Sequence, residues 1–124
     1  MKNTESLPQY DLSERLLDFA HGIMQLSESM LDTRAGNHVA KQILRSGTSP
    51  LPNHGEAQAA ESPKDFIHKL RICLKELRET FLWLQLIERA DLVTENFELP
   101  KLITEADELI RIFVSSIRTA EKRL

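Results

Sequence analysis

The chain has 124 residues, with 16 basic and 19 acidic side chains and a formal charge of −3. That length fits one domain burying roughly two-thirds of its unfolded surface, so a single folded unit is expected. With 41% apolar residues, no apolar run near a membrane span and one cysteine, Cys73, it excludes disorder, membrane crossing and a disulfide framework.

Four Gly and five Pro are few breakers against many Leu, Glu, Ala, Lys and Arg, and no Asn-Gly or Asp-Gly hairpin signal occurs. The expected class is all-α. Met1 to Tyr10 reads as a loose polar arm without an apolar signal-peptide core, and residues 11–124 as one domain with the cytoplasm as its expected address. Asp11 opens the first predicted helix, with Glu14 completing a capping box. Leu12, Leu16, Phe19, Ile23, Leu26 and Met30 make one apolar stripe; Leu17, Ala20, Met24 and Leu31 make a second, ~100° round the helix.

Thr33 to Asn37 is the first predicted loop, and a second helix begins near Asn37. Its segment Arg45 to Ala57 contains Gly47, Pro50, Pro52 and Gly55, which predicts a kink or break between Gly47 and Asn53. Thr48 or Ser49 is expected to bond the freed backbone. Ser62-Pro63-Lys64-Asp65 then caps a third helix reaching about Arg89, apolar almost all round at its end, Phe81 to Ile87. Such an end predicts burial on every side. After a loop from Asp91 to Glu98, a fourth helix starts near Leu99-Pro100 with an apolar seam from Leu99 to Leu124. The simplest arrangement is an antiparallel up-down-up-down four-helix bundle.

Catalytic chemistry finds little purchase. Bundle metal sites use Glu-x-x-His pairs aimed inward; this chain offers only Asp18 with His21 and Asp65 with His68, both placed away from the apolar seams. Ser46, Thr48, Ser49, His38 and His54 lack a nucleophile elbow, and Cys73 occupies a core position. We therefore expect no catalytic residues, no metal, no other cofactor and no small-molecule substrate.

One surface pattern stands out. Lys64, His68, Arg71, Lys75 and Arg78 repeat at four- and three-residue intervals, within an arc of roughly 80°. Such a row can neutralise nucleic-acid phosphates through the backbone rather than the bases, there being no interleaved aromatic residues. The alternative is a solvated face whose field Glu76 and Glu79 dilute.

Two segments, RSGTSPLPNHGEA and SPKDFIHKLRICLKELRETFLWLQLI, followed by ITEADELIRIFVSSIRTAEK, resemble the bacterial four-helix-bundle family that includes proteins encoded in ribosomal RNA intervening sequences. Accessory proteins of diversity-generating retroelements are similar at a greater distance. Arg45, Ser46, Ser49, Asn53, Glu56 and Ala57 match the family's pattern, as do Ser62, Asp65, Phe66, Lys69, Glu76, Glu79 and Trp83 on the next helix. The chain departs from it at Pro50-Leu51-Pro52, where relatives read Val-Gly-Ala or Ile-Gly-Ala, and at His54-Gly55, where many read Tyr-Arg. The resemblance implies a non-enzymatic bundle assembled as a homopentamer. Its partners would be RNA, DNA or a nucleic-acid enzyme, and the motif polar residues either touch a ligand or tie the kink to its neighbours. A scaffold that binds only protein is the alternative. Two apolar stripes on the first helix and the apolar end of the third independently predict self-association.

Overall fold

The computed structural model describes residues 8–94 and 98–124. Met1 to Leu7 of the expected arm, and Glu95 to Phe97 of the last loop, lie outside the described residues. Among the described residues five helices form: α1 (Pro8–Glu28), α2 (Arg34–Thr48), α3 (Pro50–Gln58), α4 (Pro63–Ala90) and α5 (Leu99–Lys122). Since α2 and α3 are two lengths of one interrupted helix, the architecture is an all-α four-helix bundle.

Helix α1 starts three residues before Asp11, so Asp11 lies inside the helix and is not its N-cap. Helix α2 also starts earlier than Asn37. The Thr33 hydroxyl accepts from the Gly36 N–H at 3.0 Å, and that cap makes Arg34 the first helical residue. Gly36 fits its place because a Cβ there would lie 2.0 Å from the Leu31 carbonyl oxygen. The expected cap of α4 is present, with Ser62 Oγ accepting from the Asp65 N–H at 3.1 Å and Pro63 at the first helical position. At its other end Asp91 turns left-handed (φ 54°), and the Leu92 N–H donates to the Ile87 carbonyl at 3.2 Å.

The expected interruption lies at Ser49. Pro50 and Pro52 supply no N–H, so the Ser46 and Thr48 carbonyls lose their helical donors. Ser49 nevertheless keeps helical dihedrals (φ −62°, ψ −38°), and the ladder continues through Ser49 N–H to Arg45 O and Asn53 N–H to Ser49 O, both at 3.2 Å. Neither hydroxyl meets the freed carbonyls. Thr48 Oγ1 donates to Leu44 O at 2.7 Å, and Ser49 Oγ accepts from Asn53 Nδ2 at 2.9 Å. Helical side chains lean toward the N-terminus while carbonyls point the other way, so Thr48 reaches the turn behind it.

Around the bundle the order is α1, α2 with α3, α4, α5 and back to α1, which leaves α1 and α4 at opposite corners. Arg45 meets Glu79 while the later Glu56 meets the earlier Lys69, and Arg71 near the start of α4 meets Glu121 near the end of α5. Those pairings run antiparallel. At one end Met30 and Val93 form an isolated bridge, with Leu31 N–H donating to Leu92 O at 2.7 Å and Thr94 N–H to Ser29 O at 2.8 Å. It fastens the first turn of the bundle to the last.

The core holds Leu16, Phe19, Ile23, Leu26, Ile43, Leu70, Cys73, Leu77, Leu84, Ile87, Leu109 and Phe113. The apolar end of α4 is not buried on every side: Ile87 faces the core, while Leu82 and Leu86 face out. A bundle helix buries an arc rather than its whole circumference, so a run of apolar residues overflows it.

Two glycines test this packing in opposite directions. Gly36→Ala should lower the urea midpoint by an amount equivalent to about 3 kcal/mol, because a backbone carbonyl cannot yield to the new methyl group. Gly55→Ala should raise stability by about 0.5–1 kcal/mol, since a Cβ there meets nothing within 4 Å and alanine favours the helix.

Candidate nucleic-acid interface

Helix α4 carries two polar strips, one facing α2 and α3 and one facing solvent. On the first, the Arg45 guanidinium bridges Glu76 Oε1 at 3.1 Å and Glu79 Oε2, and the Trp83 Nε1–H donates to the same Glu79 oxygen at 3.0 Å. His38 packs edge-on against Trp83 with ring centroids 6.2 Å apart. Below them the Ser46 and Thr80 hydroxyls hydrogen-bond at 2.8 Å, both fully buried. Asn53 Nδ2 donates to the Ser49 carbonyl at 3.0 Å, and Lys69 Nζ meets Glu56 Oε1 at 2.9 Å. The Glu56 hydrogen bond raises the Lys69 pKa.

The structure therefore gathers eight of the polar motif residues, Arg45, Ser46, Ser49, Asn53, Glu56, Lys69, Glu76 and Glu79, along one seam. Their polar groups mostly satisfy one another across or within the helices. Thr80 and Trp83 complete the seam; Thr80 was missed because a threonine inside an apolar helix carries no local polar signal.

The second strip is the basic row. Lys64, His68, Arg71, Lys75 and Arg78 are all exposed on the outer face of α4. Arg71 pairs with Glu121 on α5; the other four have no salt bridge among the described residues. Glu76 and Glu79, expected to dilute the field, are drawn toward α2 by Arg45. Leu82 and Leu86 continue the row's line toward the end of α4, an extension that charge spacing alone does not reveal.

Other groups suited to chemistry are dispersed. Cys73 is buried and its Sγ–H donates to Pro50 O at 3.7 Å; burial pushes the thiol up to about 12. His54 is buried edge-on to Phe113, 6.0 Å between centroids, and burial lowers its pKa. Asp18, His21 and His68 are exposed, and no group of three or more His, Cys, Asp or Glu suited to a metal occurs among the described residues. No helix among the described residues is long and apolar enough to cross a membrane. A groove between α1 and α5 is lined by Arg15, Asp18, Gly22, Lys101 and Glu105. Arg15 is engaged there by Glu105 and Glu108 at 2.8 and 2.7 Å, and the Glu105 hydrogen bond, the larger contribution, raises its pKa.

These features define a small helical bundle stitched by a polar seam, with a charged outer helix face. The 23S rRNA-intervening sequence protein family matches residues 9–115, and the chain belongs to that family. It is similar to a protein of unknown function from the S23 ribosomal protein family of Bacteroides thetaiotaomicron VPI-5482, at 34% identity and a TM-score of 0.81, over 90% of this chain and 99% of that one. No curated protein matches the chain.

The seam predicts non-additive mutations. Thr80→Val should cost about 1–3 kcal/mol by leaving the buried Ser46 hydroxyl unpaired, and adding Ser46→Ala should recover part of that loss in denaturant unfolding. His54 predicts a pH dependence. Its native pKa is depressed, so an unfolded chain takes up a proton below about pH 6.5 that the folded one refuses. This contribution to stability is intact above the unfolded value and falls on acidification. His54→Gln should lose less melting temperature than the parent between about pH 7.5 and 5.

Proposed function

We propose that the protein is a non-enzymatic, self-associating bundle that binds nucleic acid, or a nucleoprotein, through the outer face of α4. The observation that carries this reading is the division of charge on α4. Cations of the motif seam are consumed in pairs with Glu56, Glu76 and Glu79, whereas Lys64, His68, Lys75 and Arg78 face solvent with no pair among the described residues. A row of this kind attracts phosphates mainly by counterion release, with little base preference. The family's name, a 23S rRNA-intervening sequence protein, agrees with a nucleic-acid setting. The homopentamer of the family resemblance and a cytoplasmic address belong to the same proposal. A partner that is protein alone is favoured by one specific observation: the leucines that extend the row are exposed.

The test is filter or fluorescence binding to mixed-sequence RNA and DNA at low salt. Binding should weaken steeply as salt rises. Lys64→Glu with Lys75→Glu should abolish it while helicity and oligomer mass stay unchanged, because both residues lie outside the buried faces. A parent that does not bind in low salt, or a double variant that binds equally well, gives the protein-scaffold reading the lead.

A further inference from the structure

We infer that a cavity inside the bundle, beside His54, binds a small neutral molecule with an apolar body and one hydroxyl group, of the size of phenol. The cavity holds about 140 Å³ and is lined by Leu12 of α1, His54 of α3, Phe66 and Leu70 of α4, and Ile112 and Ser116 of α5. It lies on the diagonals of the bundle: α3 and α5 face each other across it without packing backbone to backbone, as do α1 and α4. The observation that carries the site is His54. It is 5% exposed, and its ring nitrogens have no hydrogen-bond partner among the described residues. A polar side chain buried this far ordinarily finds a partner, because a desolvated donor or acceptor left unpaired is costly. Phe113 closes one side of the ring, edge-on at 6.0 Å between centroids, and the cavity is the space left beside it.

The lining decides what can enter. No charged side chain lines the cavity, so a carboxylate, phosphate or ammonium group would be desolvated there without a counter-charge. Leu12, Phe66, Leu70 and Ile112 form apolar walls that would leave the many hydroxyls of a sugar unpaired. A purely apolar molecule would leave the His54 nitrogens as bare as before. A neutral ring with one hydroxyl meets both demands, its body on the apolar walls and its hydroxyl on the imidazole. Burial disfavours protonation of His54, so the neutral ring keeps one nitrogen as an acceptor for that O–H. The size agrees, since an interior cavity of about 150 Å³ holds benzene. Water is the competing occupant, but several molecules would be needed at about 30 Å³ each, and the apolar walls offer them no partners. Gln58 is exposed, and Phe66, Ile112 and Ser116 are half-buried, so the mouth opens between α3 and α5 beside Phe66. The site faces inward, apart from the basic row, and stands whether or not α4 binds nucleic acid.

Phenol is the probe, with toluene as a molecule of nearly the same shape that lacks the hydroxyl. Titrated into the full chain, phenol should saturate at millimolar concentration and shift the His54 ring-nitrogen signals in NMR. It should also raise the melting temperature, because a ligand touching α1, α3, α4 and α5 at once favours the folded bundle. Toluene should bind about tenfold more weakly, the worth of one hydrogen bond. Two variants locate the site. His54→Phe removes the nitrogens and fills the space, while Ile112→Trp blocks the mouth and leaves His54 in place. Each should abolish phenol binding while circular dichroism shows the parent's helicity. Ile112 is half-buried, so its variant keeps the test decisive should His54→Phe fail to fold. Absence of saturable phenol binding overturns the site and leaves water as the occupant. Toluene binding as tightly as phenol overturns recognition of the hydroxyl, and the proposal with it. Phenol binding that survives Ile112→Trp in full, or leaves the His54 nitrogen signals unmoved, lies elsewhere on the protein and overturns the proposal as well.

Discussion

The buried contact between the Ser46 and Thr80 hydroxyls lies where the second helix is weakest, next to the Ser46 carbonyl whose helical donor Pro50 removes. Two ladder bonds missing within three residues weaken the helix there although its dihedrals stay helical, and its neighbour adds support. Helix α4 does so with polar groups at successive levels: Arg45 with Glu76 and Glu79, Ser46 with Thr80, Cys73 with the Pro50 carbonyl, and Lys69 with Glu56. The buried members matter most energetically, because a partner lost there leaves a desolvated polar group behind. Exposed pairs such as Lys69 with Glu56 contribute little stability and mainly set register.

That division of labour decides what the surface of α4 is free to do. With one side committed to α2 and α3, its glutamates no longer offset the lysines and arginines on the other. The net charge of −3 therefore hides a sorted distribution, with carboxylates on the outer face of α1 and cations on the outer face of α4, at opposite corners. Sorting of this kind matters more than the total, since the local field steers phosphates or a complementary protein face. Burial likewise acts on Cys73 and His54, raising the thiol pKa of the one and disfavouring protonation of the other.

Membership of the 23S rRNA-intervening sequence protein family places these features in a shared architecture, and the Bacteroides protein carries the same fold over nearly its whole length. The seam residues that make the resemblance visible are chiefly those joining α2 and α3 to α4. A recognisable motif can thus mark what holds a fold together, while the surfaces that meet partners are spread over residues with no motif of their own.

Much of the fold was legible in the residues themselves. Leu12, Leu16, Phe19, Ile23, Leu26 and Met30 repeat at helical spacing, Ser62 and Pro63 mark the start of α4, and Pro50 with Pro52 locate the interruption, because periodicity, capping and a missing N–H act over a single turn. The start of α2 was misplaced because Gly36 reads as a loop residue, although it lies in the helix to let the Leu31 carbonyl approach. The basic row could be placed on one face from spacing alone, but its freedom from Glu76 and Glu79 could not. Nor could sequence tell that Leu82 and Leu86 would stay outside while Ile87 went in. Local order follows from neighbours along the chain; which arc of a helix is covered, and which charge finds a partner, follows from where the other helices stand, and only packing decides that.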